Sequence, residues 1–331
     1  MLAIEIYRWP TSDCNGVSPR NTPPRGQSII EYVLIIAVIG LVIVFAGPGV
    51  AGAIRNQFSQ VTNTVDSGAA GDSFMSAEEK AYREAMKTVA AKDAKDWTLD
   101  EQKAAATDIA KNGTSSVVYA KAKAAMDAGT TWSVKLTNGK TMYYRIIGIN
   151  HDELADGSGK VGLTFWTTNN AVGSHCFNST DSTEGGWEKS ELREKMNSGE
   201  IWNLMPSDFQ SKVKSVTKLS NNVNGTDKNA AVTATSDKLF LLSYSEIVPT
   251  SYWASSYPWT SSEGAQYEAF KGIVTVNHGH NGATATIIGN SWERSLNPSN
   301  PSYFLYVGST GDTTIANSAS RLWYVHPAFC F

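Results

Sequence analysis

The most pronounced pattern in the chain is an uninterrupted apolar run over residues 33–46, which contains no charged side chain. A helix rises about 1.5 Å per residue, so crossing a bilayer takes roughly 20 apolar residues. The run is shorter than this, but Ile29 and Ile30 before it and the mildly apolar segment 47–54 after it extend it. The pattern therefore predicts a long apolar helix that can span a membrane.

The next segment, residues 66–128, has the periodicity of amphipathic helices. After a stretch rich in Gly, Ser and Asp, Ser76 and Glu79 form a capping-box pattern ahead of apolar residues at helical spacing. Thr98 caps a second helix, and an Ala-rich third helix follows Gly113. We predict a helical spacer without chemistry of its own, and a separate interaction module is the alternative.

From Thr131 onward the periodicity becomes that of strands. Asn138 and Gly139 stand between two strand-like runs, which predicts a β-hairpin. Further helices are predicted over 190–197 and 206–213, and further strands over 238–243, 303–307 and 321–331. The predicted fold class is α+β, with a long N-terminal transmembrane helix, a helical spacer and a loop-rich α+β domain.

Composition and charge narrow the classes of function. The chain has 331 residues, of which 18% are charged, and its formal net charge is −3. Its isoelectric point is about 6.0. Binding to phosphates needs a clustered basic surface, which this balance does not supply. We therefore predict no nucleic-acid partner.

The residues before the apolar run, RGQSIIEY over 25–32, form the most specific motif. They resemble the processing site of type IV prepilins, and most closely that of the small Flp (Tad) pilins, in which Gly ends the leader and Glu-Tyr opens the apolar helix. The resemblance implies that a prepilin peptidase cleaves after Gly26. Gln27 would then be the first mature residue, and Glu31 and Tyr32 would open the helix.

The carboxylate of Glu31 needs an explanation, because a charge at the edge of a membrane-buried helix is expensive without a partner. The resemblance implies that this partner is the free N-terminal amine of a neighbouring pilin subunit. Other pilin subunits, contacted through the N-terminal helix, and the membrane are therefore the predicted partners. The alternative is that Glu31 lies at the water interface of a plain membrane anchor.

These patterns divide the chain into a leader peptide (1–26), a pilin-like apolar helix (27–65), a helical spacer (66–128) and a surface domain (129–331). The predicted location is the cell membrane, followed by an extracellular filament or the cell surface. We predict a type IV pilin, or a minor or tip subunit, that presents an adhesive binding domain. The alternatives are a pseudopilin of a secretion apparatus and a simple membrane-anchored surface protein.

Four motifs between residues 185 and 331 carry a second resemblance. They are similar to an uncharacterised domain that is frequent in bacterial surface proteins and is itself similar to the C-type-lectin-like and formylglycine-generating-enzyme-like fold. The resemblance covers roughly 131–331 and implies that the first and last strands pair around a loop-rich insertion, with no established activity. The motifs lie at 185–193, 237–243, 291–295 and 324–331.

Candidate ligand contacts come from aromatic side chains, since the chain has ten Trp and thirteen Tyr. The segment 252–260 concentrates them, and exposed rings of this kind stack against sugars. We expect at least one of these rings to reach a glycan or protein ligand. The candidate residues are Tyr252, Trp253, Tyr257 and Trp259.

No residue set predicts a cofactor, a metal or catalysis. His278 and His280 have no Cys, Asp or Glu beside them in the sequence, so hydrogen-bonding loop histidines are the expectation. Cys176 and Cys330 could pair in an oxidising compartment or stay as two buried thiols. No nucleophile, base and orienting group can be assembled from the sequence, so we predict that the protein is not an enzyme.

Overall fold

The computed structural model describes residues 76–283 and 289–331. The described helices are α1 (Ala77–Ala91), α2 (Leu99–Asn112), α3 (Tyr119–Asp127), α4 (Glu191–Asn197), α5 (Ser207–Gln210) and α6 (Tyr244–Ile247). The described strands are β1 (Thr131–Lys135), β2 (Thr141–Ile149), β3 (Leu163–Thr167), β4 (Ser174–His175), β5 (Val216–Asn221), β6 (Val232–Asp237), β7 (Leu239–Phe240), β8 (Ser291–Leu296), β9 (Tyr303–Val307), β10 (Ile315–Ser318), β11 (Trp323–Tyr324) and β12 (Ala328–Cys330). This part of the chain is therefore α+β.

The first two helices begin at the caps that the sequence predicts. The Ser76 hydroxyl accepts a hydrogen bond from the Glu79 amide at 3.1 Å at the start of α1. Thr98 and Glu101 form a complete capping box at the start of α2. These bonds satisfy amide groups that have no partner within the helix, and so they fix where each helix starts.

The three N-terminal helices pack against the first hairpin of the sheet. Trp132 on β1 donates its indole N–H to the Ala94 carbonyl at 3.0 Å. Tyr144 on β2 donates its hydroxyl to the buried amide oxygen of Gln102 at 3.1 Å. The described residues from 76 onward accordingly belong to one compact unit.

The main sheet has the strand order β1-β2-β3-β12-β7. Its last strand in sequence, β12, inserts between β3 and β7 and pairs antiparallel with both, with Phe329 opposite Phe165. The first strand, β1, pairs with β2. The expectation that the first and last strands of residues 131–331 pair directly is therefore corrected, because the final strand pairs with β3 instead of β1.

A cluster of aromatic rings fills the core over this sheet. Phe165 stacks on Phe329 with centroids 5.3 Å apart, and Tyr144 meets Phe329 edge-on at 5.2 Å. The ring of Phe209 on α5 also belongs to the cluster, and its centroid lies 4.7 Å from that of Phe329. Offset and edge-to-face pairs of this kind add to the stability given by burial alone.

A second five-stranded sheet has the order β10-β9-β8-β11-β4, and β5 and β6 form a separate two-stranded ribbon. Phe177 and Phe304 stack under the second sheet with centroids 3.6 Å apart. β5 contributes Lys218 and β8 contributes Arg294, and both side chains are buried. The ribbon and the second sheet thus bring charged residues into the interior.

The predicted transmembrane helix requires a correction. The longest described helix, α1, has 15 residues, and none in 76–283 or 289–331 is both long and apolar enough to cross a membrane. The predicted fold class is wrong on this point, and anchoring at the cell membrane through such a helix is not supported. Residues 27–65, to which we assigned that helix, lie outside the described part of the chain.

Candidate functional site

The single-turn helix α6 is fixed by its own cap and by a buried arginine. The Ser243 hydroxyl accepts from the Glu246 amide at 3.3 Å, and the Glu246 carboxylate accepts from the Ser243 amide at 3.0 Å. Arg294 on β8 donates to the same carboxylate at 2.5 Å. All three residues are buried, so the orientation of α6, and of Tyr244 at its start, is determined by the core.

The Tyr244 hydroxyl ties two surface loops together. It donates to the Asn277 carbonyl at 2.5 Å and accepts from the Tyr252 amide at 2.9 Å. We call residues 248–257 the first loop and residues 271–283 the second loop. Burial raises the pKa of Tyr244 well above its ordinary value, so the hydroxyl stays protonated and keeps both bonds.

The two loops present a surface of aromatic and aliphatic side chains. Tyr252 is 53% exposed, and its ring lies 5.5 Å from that of Trp253 and 4.9 Å from that of His278. On the second loop, Ile273 and Val276 are also exposed. We call these five side chains the aromatic surface. Within it, the rings of Trp253 and His278 both contact the exposed ring of Tyr252.

Not every predicted ligand contact belongs to this surface. Tyr252 and Trp253 do, although Trp253 is half-buried against the core, as is Tyr257. Trp259 is only 3% exposed, in a short 3-10 helix over Pro258–Ser261, and is removed from the candidate contacts because it is part of the core. His278 was not predicted as a contact, because its proximity to Tyr252 depends on the bridge through Tyr244.

The cysteines do not pair. Cys330 is buried on β12, with its sulfur 3.4 Å from the Thr164 hydroxyl oxygen, whereas Cys176 follows β4 in the other sheet. Both are free, so the disulfide is not formed. Burial raises the pKa of the Cys330 thiol well above its ordinary value, and a protonated thiol is a poor nucleophile.

The remaining expectations concern a metal site, which was not predicted, and a processing site, which was. Within 76–283 and 289–331, no group of three or more His, Cys, Asp or Glu could hold a metal ion. The His278 ring nitrogen Nδ1 lies 2.7 Å from the Asn277 side-chain oxygen, as expected of a loop histidine. The predicted processing and assembly residues lie outside the described residues; they are Gly26, Gln27, Glu31 and Tyr32.

A cluster of buried charges surrounds Lys218 of β5. Lys218 on β5 has its Nζ 2.6 Å from Asp152 Oδ1 and also contacts a carboxylate oxygen of Glu246. The side chains of these residues are at most 3% exposed. With Glu263 and Arg294 they form what we call the charge cluster. Ions so deeply buried are tolerated only when paired and hydrogen-bonded.

Glu263 is the one member of the charge cluster that titrates near neutral pH. It accepts from the Asn221 amide at 2.9 Å and from the Ser295 hydroxyl. Burial raises its pKa to about 7, although the positive charge of Arg294 opposes the shift. With Glu263 protonated, the charges of Lys218 and Arg294 balance those of the other two carboxylates.

A cleft of about 330 Å³ leads from the surface to the charge cluster. Its rim carries the ion pair of Lys160 with Glu153 at 3.7 Å and the contact of His151 Nδ1 with a Glu268 carboxylate oxygen at 3.1 Å. Asp152, Lys218, Glu246 and Glu263 line its inner end. The cleft therefore connects solvent with side chains that are otherwise enclosed.

Comparison with known proteins places most of this structure in one family. Residues 162–331 match the family described as "Domain of unknown function (DUF6273)". No curated protein and no solved structure matches the chain. The matched segment holds the aromatic surface and four residues of the charge cluster, with Asp152 before it. Since the match covers more than half of the sequence, the chain belongs to the DUF6273 family.

Proposed function

We propose that the DUF6273 domain of this chain is a non-catalytic binding module and that it holds a glycan on its aromatic surface. The observation that supports this proposal is the bridge through Tyr244, which joins two loops that expose Tyr252, Ile273 and Val276. Sugar rings stack their C–H faces on aromatic side chains. Rings held in place by a buried hydroxyl lose little entropy when a ligand binds.

The size and composition of the aromatic surface favour a glycan over a protein partner. A stable protein interface covers about 800 Å² on each side and some 20 residues. The aromatic surface comprises five side chains, and the edge-to-face pair of Tyr252 and Trp253 suits one or two sugar units. The triplet Asn297-Pro298-Ser299 has no carboxylate, so the binding is proposed to be independent of calcium.

We further propose that this module belongs to a pilin-like subunit whose leader is removed after Gly26. Support for this comes from the sequence over residues 25–32 alone, where Gly26 precedes a Glu-Tyr pair and an apolar run. A pseudopilin that contacts an exported protein is the alternative. The two differ in ligand, because a pseudopilin would bind a protein with its C-terminal domain.

Binding of the full-length chain to a panel of immobilised neutral and acidic oligosaccharides tests the proposed function. We expect retention by at least one glycan and about fivefold weaker binding for Tyr252→Ala and for His278→Ala, since one ring contact is worth roughly 1 kcal/mol. The matched control is Tyr143→Ala, which removes another exposed tyrosine, on β2. Absence of glycan binding, or equal loss in the control, would refute the proposal.

A further inference from the structure

In the charge cluster, the amine of Lys218 and the carboxyl group of Asp152 are in direct contact and completely buried, unlike those of an ordinary surface ion pair. Lys218 Nζ lies 2.6 Å from Asp152 Oδ1, and a Glu246 oxygen contacts the same nitrogen. The Phe240 ring centroid lies 4.4 Å from Nζ. Lysine is rarely buried so completely. Here the amine is enclosed by two carboxylates and an aromatic face.

The two oxygens of Asp152 have different surroundings. Oδ1 faces the lysine, whereas Oδ2 accepts from the Thr164 hydroxyl at 2.6 Å, and the Tyr267 hydroxyl lies 2.9 Å from both oxygens. The fixed Thr164 donor, together with Tyr267, would stabilise negative charge that develops on Oδ2. Attack by an amine on the carboxyl carbon places such a charge on one oxygen and releases the other.

We propose that Lys218 and Asp152 become joined by an intramolecular amide bond, with Glu246 as the catalytic residue that carries the proton. Nζ forms a bond with the Asp152 carboxyl carbon Cγ, and the bond between Cγ and Oδ1 breaks. Oδ2 remains as the amide oxygen, held by Thr164 and Tyr267. The product is one amide and one water molecule, and no oxidant, reductant or other reactant takes part.

The protons of this reaction balance within the three residues. Burial alone would raise the pKa of Asp152. The neighbouring Lys218 has the opposite effect and lowers this pKa below its ordinary value, so Asp152 and Lys218 are both ionised before the reaction. A proton first passes from the ammonium group to the carboxylate, leaving a neutral amine and a carboxylic acid. Glu246 then takes a proton from the attacking nitrogen and gives it to the departing Oδ1, which leaves as water.

The surroundings supply the two remaining requirements of the reaction. Arg294 holds the Glu246 carboxylate in place at 2.5 Å. The released water has a route out, because the cleft of about 330 Å³ reaches Asp152, Lys218 and Glu246. The bond would link the segment after β2 to β5 across 66 positions of sequence.

Peptide mapping of the purified full-length protein by mass spectrometry tests the proposal. We expect a branched peptide that joins the segments of Asp152 and Lys218 and is lighter than their sum by one water molecule. Trypsin should not cleave after Lys218, because acylation removes its charge. The exposed pair of Lys160 and Glu153 is the internal control and should stay unlinked. Separate, unmodified peptides containing Asp152 and Lys218 would overturn the proposal.

Two variants test the role of Glu246. In Glu246→Gln the linked peptide should disappear, while circular dichroism checks that the chain is still folded. In Glu153→Gln, on the rim of the cleft, the link should form as in the natural chain. A linked peptide in folded Glu246→Gln would overturn the role of Glu246. If that variant does not fold, the map of the natural chain still decides whether the bond exists.

Discussion

Gly162 lies directly against the main-chain carbonyl of Ala106, because a Cβ atom at position 162 would be only 1.8 Å from that oxygen. Ala106 is a buried residue of α2, and Gly162 immediately precedes β3. The backbone of the helix therefore touches the backbone of the central sheet. Such an approach is open only to glycine, because any side chain would displace the helix.

This contact predicts that Gly162→Ala destabilises the fold. The added methyl group must push α2 away from β3, and overpacking of this kind costs about 1–3 kcal/mol. The free energy of unfolding in urea measures the effect. Gly139→Ala is the control, because position 139 has a φ of 83° but nothing within 4 Å of an added Cβ, so it should cost only the strain of that backbone conformation, about 1 kcal/mol. Equal costs would contradict the predicted contact.

Local signals allowed several elements to be predicted from sequence. Asn138 and Gly139 predicted the β1–β2 hairpin, and Gly139 takes the positive φ that such a turn requires. The Ser190 hydroxyl accepts from the Arg193 amide at 3.1 Å at the start of α4, again as predicted. Caps and tight turns depend on residues within about four positions, so one short window of sequence contains their cause.

Features that depend on distant partners were not predicted. Arg294 and Glu246 meet across 48 positions of sequence, and Lys218 and Asp152 across 66. No local pattern marks these residues as buried, because charged residues are normally exposed. The helix predicted over 206–213 is shorter in the structure, where it covers Ser207–Gln210, and the chain then forms a β-bridge between Lys214 and Cys330 of the final strand.

Two buried tryptophans, one with a hydrogen bond and one without, allow the stability contribution of that bond to be predicted. Trp187 donates its indole N–H to Asp237 at 2.9 Å, whereas Trp259 Nε1 has no hydrogen-bond partner among the described residues. Both rings are at most 3% exposed. Replacement by Phe removes similar volume from each, but only Trp187→Phe removes one of the donors to a buried carboxylate. We expect Trp187→Phe to cost about 1–2 kcal/mol more than Trp259→Phe.

Urea unfolding of the two tryptophan variants measures this difference. Asp237 also binds Arg193 at 2.6 Å, so Arg193→Met in the Trp187→Phe background should cost more than in the natural chain. Equal stability of the two tryptophan variants would show that the indole bond contributes nothing net.

The prepilin-like motif predicts the first residue of the mature protein. After co-expression with a prepilin peptidase, we expect mass spectrometry to find an N-terminus at Gln27, and we expect Gly26→Ala to abolish cleavage. The reason is the sequence over 25–32, in which Gly26 precedes the Glu-Tyr pair. An N-terminus still at Met1 in the presence of the peptidase would withdraw the pilin-like assignment and the assembly role of Glu31.

The raised pKa of Glu263 predicts that the free energy of unfolding falls as pH rises through neutrality. Its pKa is raised from 4.5 to about 7 by burial, so the folded protein holds a proton that the unfolded chain has lost. Protonation therefore stabilises the fold fully below about pH 4.5, and this contribution is lost as pH rises through about 7. The slope can reach about 1.4 kcal/mol per pH unit. Glu263→Gln should remove this dependence in urea unfolding between pH 4.5 and 7.5.

The lowered pKa of His326 predicts that the free energy of unfolding depends on pH with the opposite sign, which provides a comparison for Glu263. Burial lowers the pKa of His326 from 6.5 to about 4, so here the unfolded chain binds the proton first. Its contribution is full above about pH 6.5 and is lost as pH falls through about 4. His326→Asn should therefore lose its destabilising effect toward low pH, whereas the effect of Glu263→Gln should diminish toward high pH. If both variants shift the stability curve equally at every pH, neither buried group titrates as the structure indicates.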